Sequence, residues 1–357
     1  MQKTTDERGA IRAGLVGRDL QLDAFKSRFE SSAPLPPVII SGPAGIGKTS
    51  LIKAFETIAR DAGWRVVSDT AAKGVSARMR GTYLPALHEM LAGEECARFE
   101  CTSLSEQLTH VAQNLTVIEK GLLITIDHLG KSAAHHVGEL VEAVMRAQER
   151  NLPVQLVIAG RTAEIRDFLN APTMHQLNGA EHFELRALSR EQTEQALRFQ
   201  LESCPALRNG ADSLDAQFFS RACLATHGYP FMVHLVGEAI RHRATENITD
   251  HEFTTGLASA QEKLGSLVLN PLLSKLSAGD RAFLEAMAED DGPSKMSDIS
   301  ARLGKNPQYA GVYRNRLVES QIIRASSYGK VTFVIPHLRE YLRSTSSAER
   351  EDGFNDF

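Results

Sequence analysis

The chain predicts an α/β protein: a core with a parallel sheet, followed by an all-α segment and then a winged-helix domain. Three observations carry this prediction. Short β-branched runs alternate with helical patterns through the first half, at residues 38–41, 65–68, 122–127, 154–159 and 182–185. Such strand–helix alternation is the pattern of a parallel sheet with helices on both faces. After Leu185 the strand signal stops and a helical period takes over. Beyond Asn270, three helical patterns precede two short β runs, which together spell three helices and a hairpin.

Each element has a local reason. The middle segment opens at Ser189 with Gln192 three residues on, a capping-box start. Its apolar positions, including Ala196, Leu197, Phe218, Phe219, Ala222, Leu235, Val236 and Ile240, recur at helical spacing and are expected to form an ordinary core. In the last segment, helical patterns at 280–288 and 297–303 lead to Gly304, which closes one helix. Asn306 and Pro307 then open the next as cap and first-turn residue, and it runs to about Ser320. Runs at 322–325 and 330–335 flank a Ser-Tyr-Gly turn, and the polar, acidic tail from Thr345 is expected to be disordered. The expected organisation is a core over 1–185, a helical lid over 186–270, a winged helix over 271–344 and a tail over 345–357.

Composition bounds the function. A length of 357 residues exceeds the size at which one core stops growing, so two or three domains are expected. A formal net charge of -4 gives no global attraction to nucleic acid or to an acidic membrane, so a basic partner surface has to be local. Cys96, Cys101, Cys204 and Cys223 lack CxxC spacing, which argues against a zinc knuckle and against a disulfide framework, and the cytoplasm is the expected compartment. No stretch approaches the roughly 18 apolar residues that a membrane helix needs. Neither secretion nor membrane spanning is expected.

The strongest signal is Gly42-Pro43-Ala44-Gly45-Ile46-Gly47-Lys48-Thr49, which fits GxxxxGKT between a strand and a helix. This is the phosphate loop of a P-loop nucleotide-binding core. Glycines turn backbone amides toward phosphate oxygens, the helix N-terminus adds positive potential, Lys48 reaches the outer phosphates and Thr49 ligates magnesium. The loop residues through Ser50 are the candidate binding set for ATP or ADP with Mg2+. The apolar run Leu122 to Ile126 ends in Asp127, which can hold magnesium through water. Hydrolytic relatives carry a second acid directly afterwards, whereas here the next residue is His128, either a weak base or a surface histidine. Slow hydrolysis and binding without turnover both stay open. The strand after that one leads into Gly160-Arg161, placing a cation at the ligand-binding edge of an open α/β sheet, where it can sense a terminal phosphate.

With these motifs the chain resembles the AAA+ ATPases, and within them the STAND signalling ATPases and the archaeal-type and origin-recognition-like ATPases with a winged helix. Leu15-Val16-Gly17-Arg18-Asp19 is similar to the hhGRE box, with Asp19 in place of glutamate. The resemblance implies that Leu15 and Val16 pack on the adenine and that Arg18 touches the nucleotide. Gly160-Arg161 resembles the family's sensor arginine. His227-Gly228-Tyr229-Pro230-Phe231 resembles the GxP motif, which implies a base contact for Pro230. The segment 333–342 is similar to the one where related switches carry Met-His-Asp, which implies a contact of His337 with the β-phosphate of ADP. Here Pro336 precedes that histidine and Leu338 follows it in place of aspartate.

Between Ala301 and Arg343 there are eight Lys or Arg and two acids, Glu319 and Glu340. Helical spacing from Pro307 points Ala310, Tyr313 and Leu317 inward and leaves Gln308, Asn315 and Arg316 outward, a composition suited to reading a major groove. Lys330, with Arg324 beside it, is placed to reach phosphates. The expectation is a nucleotide-dependent switch that binds double-stranded DNA. The alternative is a protein-interaction switch that forms a homo-oligomer or docks on an effector protein, with no nucleic acid.

Overall fold

The computed structural model describes residues 15–29, 36–92, 103–130, 133–202, 204, 214, 216–243 and 248–352. Cys96, Cys101 and the end of the tail, 353–357, lie outside the described residues. The chain falls into two compact units: Arg18–Gly42 with Lys48–Leu185, and Met1–Gly17 with Pro43–Gly47 and Arg186–Phe357.

The first unit is built on five parallel strands: β1 (Val38–Ser41), β2 (Arg65–Thr70), β3 (Leu122–Leu129), β4 (Val154–Gly160) and β5 (Glu181–Glu184). All five match the alternation read from the sequence; β2 and β3 run two residues further, β4 runs one further, and β5 is shifted one residue earlier. Their order in the sheet is β2-β3-β4-β1-β5. β1 and β4 are buried at every position, as strands covered on both faces must be. On one side, the helices Leu104–Val117 and Ala133–Glu149 contribute Leu108, Val111, Leu115, Val137, Leu140 and Val144 to a continuous apolar core. The helix Lys48–Asp61 buries Leu51, Ile52, Phe55 and Ala59, and Phe55 stacks on Phe25 with ring centroids 3.9 Å apart. A polar tie fixes that helix to the sheet: Thr125 Oγ1 in β3 donates to the buried Glu56 carboxylate at 2.7 Å. An unpaired carboxylate at such depth would be costly, so this bond helps specify the register.

In the second unit, the helix Arg190–Leu201 opens at the predicted capping box: Ser189 Oγ accepts from Gln192 N, and Ser189 N donates to Gln192 Oε1. That helix and the helices Ala216–Thr226 and Pro230–Arg243 bury the predicted apolar positions, and the helix Asp250–Leu264 follows. Cys204 and Cys223 are free and buried. Beyond them, the helices Ala278–Ala288, Met296–Leu303 and Pro307–Glu319 precede a hairpin of β7 (Ile323–Ser327) and β8 (Lys330–Phe333). Gly304 closes its helix with φ 61, and Asn306 Oδ1 caps the next by accepting from Tyr309 N at 2.8 Å. A two-residue strand unseen in the sequence, β6 (Ser294–Lys295), adds to β8, giving a three-stranded antiparallel sheet ordered β6-β8-β7. The helix Leu338–Asp352 continues past Thr345, where the sequence suggests disorder; the charged run that lowers hydrophobicity is also compatible with helix.

Candidate nucleotide-binding site

Topology assembles the predicted residues of the first unit. Because all five strands are parallel, their C-terminal ends share one edge. β4 pairs with β1 on one side and with β3 on the other, with Ser41 opposite Gly160 and Ile126 opposite Ile158. Arg161, which follows β4, therefore lies between the strand that feeds the phosphate loop and the strand that carries Asp127. A register shift between Ile126 and Leu129 releases Asp127 and His128 from the ladder with β4.

The geometry joins the metal-binding candidates directly. Thr49 Oγ1 donates to Asp127 Oδ2 at 2.6 Å, although the two residues are 78 positions apart. A hydroxyl and a carboxylate are the hard oxygen donors that magnesium takes alongside nucleotide phosphates, so these residues fit the ion. Among the described residues no group of three His, Cys, Asp or Glu could hold a metal. Lys48 Nζ donates to the Gly42 carbonyl at 2.9 Å. Burial pushes the Lys48 amine down to about 8, and Arg161 adds to the shift, while Asp127 and Glu164 oppose it. Arg161 is itself ion-paired with Glu164, three residues on. His128 has φ 58 and a side chain 72% exposed, its Nδ1 3.4 Å from Asp127 Oδ2, while its backbone N donates to Asp127 Oδ1.

Two residues of the site belong to no motif read from the sequence. Glu164 was legible only as an acid at i+3 from a candidate arginine on a helix. His182, from β5, shares a 2.8 Å hydrogen bond with Ser41 Oγ at the end of β1, and burial lowers its pKa. Arg18 is buried, which lowers its guanidinium pKa, and it precedes the helix Asp19–Lys26.

In the second unit, the apex of the phosphate loop is held from the GYP segment. The Tyr229 hydroxyl donates to the Ala44 carbonyl, and Phe231 N donates to the Gly45 carbonyl at 3.2 Å. Tyr229 is buried, which drives its phenol well above the usual range and keeps it a donor. Gly45 has φ 74, and a Cβ there would come within 2.8 Å of the Tyr229 oxygen, so only glycine fits. Gly228 has φ 68, and a Cβ would collide with the Leu188 carbonyl oxygen. Pro43 and Ile46 are buried, Ala44 and Ser50 half-buried. Pro230 opens its helix, half-buried; Val16 is buried and Leu15 half-buried. His337 has both ring nitrogens occupied, Nε2 2.7 Å from the Ala225 carbonyl and Nδ1 2.9 Å from Gln261 Nε2. Both hydrogen bonds of this histidine go to the helices Ala216–Thr226 and Asp250–Leu264.

The C-terminal module redistributes the basic surplus. Arg302 donates to the Ala286 carbonyl and pairs with Asp290 and Glu289, and its hydrogen bond holds the Asp290 carboxyl down at about 2. Arg339 donates to the carbonyls of Asp291 and Gly292, and Arg343 to those of Ala288 and Glu289. These three arginines satisfy carbonyls at and beyond the end of the helix Ala278–Ala288. Arg316, predicted to face a groove, is 2.8 Å from the buried Asp280 carboxylate. The sequence pattern could not reveal this, because Asp280 comes from another helix. Gln308 and Asn315 are exposed as predicted, Asn315 accepting from Arg314; Arg324 is exposed and Lys330 half-buried on the hairpin.

Residues 14–158 match the AAA ATPase domain family, and residues 267–342 match a domain of unknown function, DUF8462. No curated protein matches. Among solved structures, the Walker-type ATPase PABY2304 of Pyrococcus abyssi superposes with a TM-score of 0.65 at 14% identity, covering 90% of this chain and 95% of its own. The Aeropyrum pernix ORC2 protein, in ADPNP-ADP complexes, superposes with a TM-score of 0.58 at 15% identity, covering 93% of each chain. Among the described residues no helix is long and apolar enough to cross a membrane. The phosphate loop and the acid-tipped third strand lie within residues 14–158, the stretch that matches the AAA ATPase domain, and the chain resembles the origin-recognition-like ATPases in fold.

Proposed function

We propose that this chain is a nucleotide-dependent switch, which binds ATP or ADP with magnesium at the phosphate loop and engages double-stranded DNA through a C-terminal winged helix. The 2.6 Å bond between Thr49 and Asp127, beside Lys48 and Arg161, carries the nucleotide half of this reading. The ORC2 protein of similar fold is described in ADPNP-ADP complexes, which supports an adenine nucleotide. Lys48 holds the outer phosphates, Thr49 and Asp127 hold the metal, and Arg161 reads the terminal phosphate. Leu15, Val16, Arg18 and Pro230 are assigned to the remaining surfaces of the nucleotide. Magnesium, when bound, supplies charge neutralisation to the phosphates. The bonds from Tyr229 and Phe231 tie the loop apex to the helix Pro230–Arg243, so a change at the loop is felt there. Exchange of ADP for ATP then shifts the population of states through contacts that only the γ-phosphate makes. Hydrolysis is slow, because no second acid follows Asp127 and the exposed His128 is held only loosely beside it.

The DNA half rests on the exposed Gln308 and Asn315 on one helix, with Lys305, Arg324 and Lys330 as cations for phosphates. It is tested by binding of a fluorescent random duplex at low salt without nucleotide, with ADP and with a non-hydrolysable ATP analogue. Binding should differ between the two nucleotides, weaken with added salt, and fall in the Arg324→Ala/Lys330→Ala variant. Lys48→Ala should abolish the difference between nucleotides. No binding in any state, by protein shown to hold nucleotide, removes the DNA half. A second reading, protein docking or self-association, is favoured by Val312 at 56% exposure and a fully exposed Tyr328. An ATP-dependent rise in mass without DNA would support it. Both readings place the chain in the cytoplasm.

A further inference from the structure

The phosphate-binding reading leaves one charged group at the site without a role. Glu164 lies in the first turn of the helix Thr162–Leu169, buried at 8% exposure. Its carboxylate accepts from Arg161, and it is one of the two anions, with Asp127, whose charge acts on Lys48. Simple helix capping does not account for it: the cap position is occupied by Arg161, whose side chain makes no capping bond. A surface acid favouring the helix dipole would be solvated, and this one is not.

Two buried anions beside a phosphate-binding lysine oppose a polyanionic ligand. Asp127 has an evident use, since it meets Thr49 and suits the metal. The charge of Glu164 is balanced by its ion pair with Arg161. Arg161 is also the cation that topology puts between the end of β1 and Asp127. It therefore has two competing anions, one fixed in the protein and one arriving with the third phosphate.

We propose that Glu164 is a positioning residue that holds Arg161 in an ion pair, so that the γ-phosphate of ATP has to draw the guanidinium away and the pair sets the discrimination between ATP and ADP. ADP, which lacks that phosphate, leaves the pair intact. The inference rests on the reading of the loop as an ATP site.

The test measures Kd for ADP and for a non-hydrolysable ATP analogue on the full chain, for wild type, Glu164→Gln, Arg161→Ala and the double variant. Glu164→Gln keeps the shape and removes the charge, and it should favour the ATP analogue over ADP by about tenfold relative to wild type, the scale of one charge-assisted hydrogen bond made neutral. In the Arg161→Ala background the same substitution should leave the ratio unchanged. Glu164→Asp, which retracts the carboxylate, should shift the ratio in the same direction by less, and serves if the glutamine variant does not fold. A ratio unchanged in Glu164→Gln, or shifted equally with Arg161 absent, overturns the proposal; the latter would mean that Glu164 acts on phosphate directly. Wild-type protein that binds neither nucleotide, or binds equally well as Lys48→Ala, overturns the ATP-site reading as well. A flat ratio with Lys48-dependent binding sinks only the role of Glu164.

Discussion

Arg316→Ala separates a structural arginine from a DNA-reading one. Arg316 lies 2.8 Å from Asp280 Oδ2, and the Asp280 side chain is 4% exposed. The same oxygen accepts from Ser277 Oγ at 2.6 Å and from Ser277 N at 3.3 Å, while Oδ1 is buried with no hydrogen-bond partner among the described residues. Removing one partner of a fully buried ion pair costs about 3–5 kcal/mol, whereas an exposed pair contributes about 0–1 kcal/mol. Arg316 is 53% exposed, so solvent screens its half of the pair, and Ser277 continues to serve the carboxylate. The expected loss is thus about 1–2 kcal/mol. Each kcal/mol should lower Tm by about 2–4 °C for a cooperative unit of 150–250 residues. Thermal unfolding measures this, and duplex binding is measured on the same folded variant. Arg316→Lys should recover part of the stability, and Asp280→Asn combined with Arg316→Ala should cost less than the sum of the two. An unchanged Tm with lost duplex binding would refute the reasoning and return Arg316 to the DNA-reading face.

Thr49→Val removes the hydroxyl that meets Asp127 and keeps the side-chain shape. Nucleotide affinity of the wild type should rise with magnesium, and that of the variant should stay flat across a magnesium titration; equal dependence would exclude Thr49 as a ligand. Tyr229→Phe removes the bond to the Ala44 carbonyl while preserving the buried ring. It should weaken ADP and the ATP analogue alike by about 0.5–1.5 kcal/mol, read by calorimetry. A loss confined to the ATP analogue would contradict a role at the loop apex.

Much of the fold was legible because its signals are local. Strand runs at 38–41 and 154–159, the Ser189 capping box and the Asn306-Pro307 start report backbone preferences within a few residues, and the structure places elements there. β6 was not legible, since two residues carry no period and pair only because β8 offers an edge. The continuation of the last helix to Asp352 escaped the sequence for a related reason: low hydrophobicity speaks to burial and leaves helical backbone undecided.

At the site, the sequence by itself determined the chemistry available: a loop that can take phosphates, an acid at a strand end, and an arginine at the end of the next strand. Residue type and strand–loop–helix context suffice for this, because the loop binds with its own backbone and adjacent side chains. Only the tertiary structure decided which charges are already committed. Asp280 claims Arg316 from another helix, Gln261 and the Ala225 carbonyl claim His337, and carbonyls at and beyond the end of the helix Ala278–Ala288 claim Arg339 and Arg343. A charge count along the chain treats every arginine as available. Pairing depends on which groups burial brings within about 3 Å, and that is set by packing between elements distant in sequence.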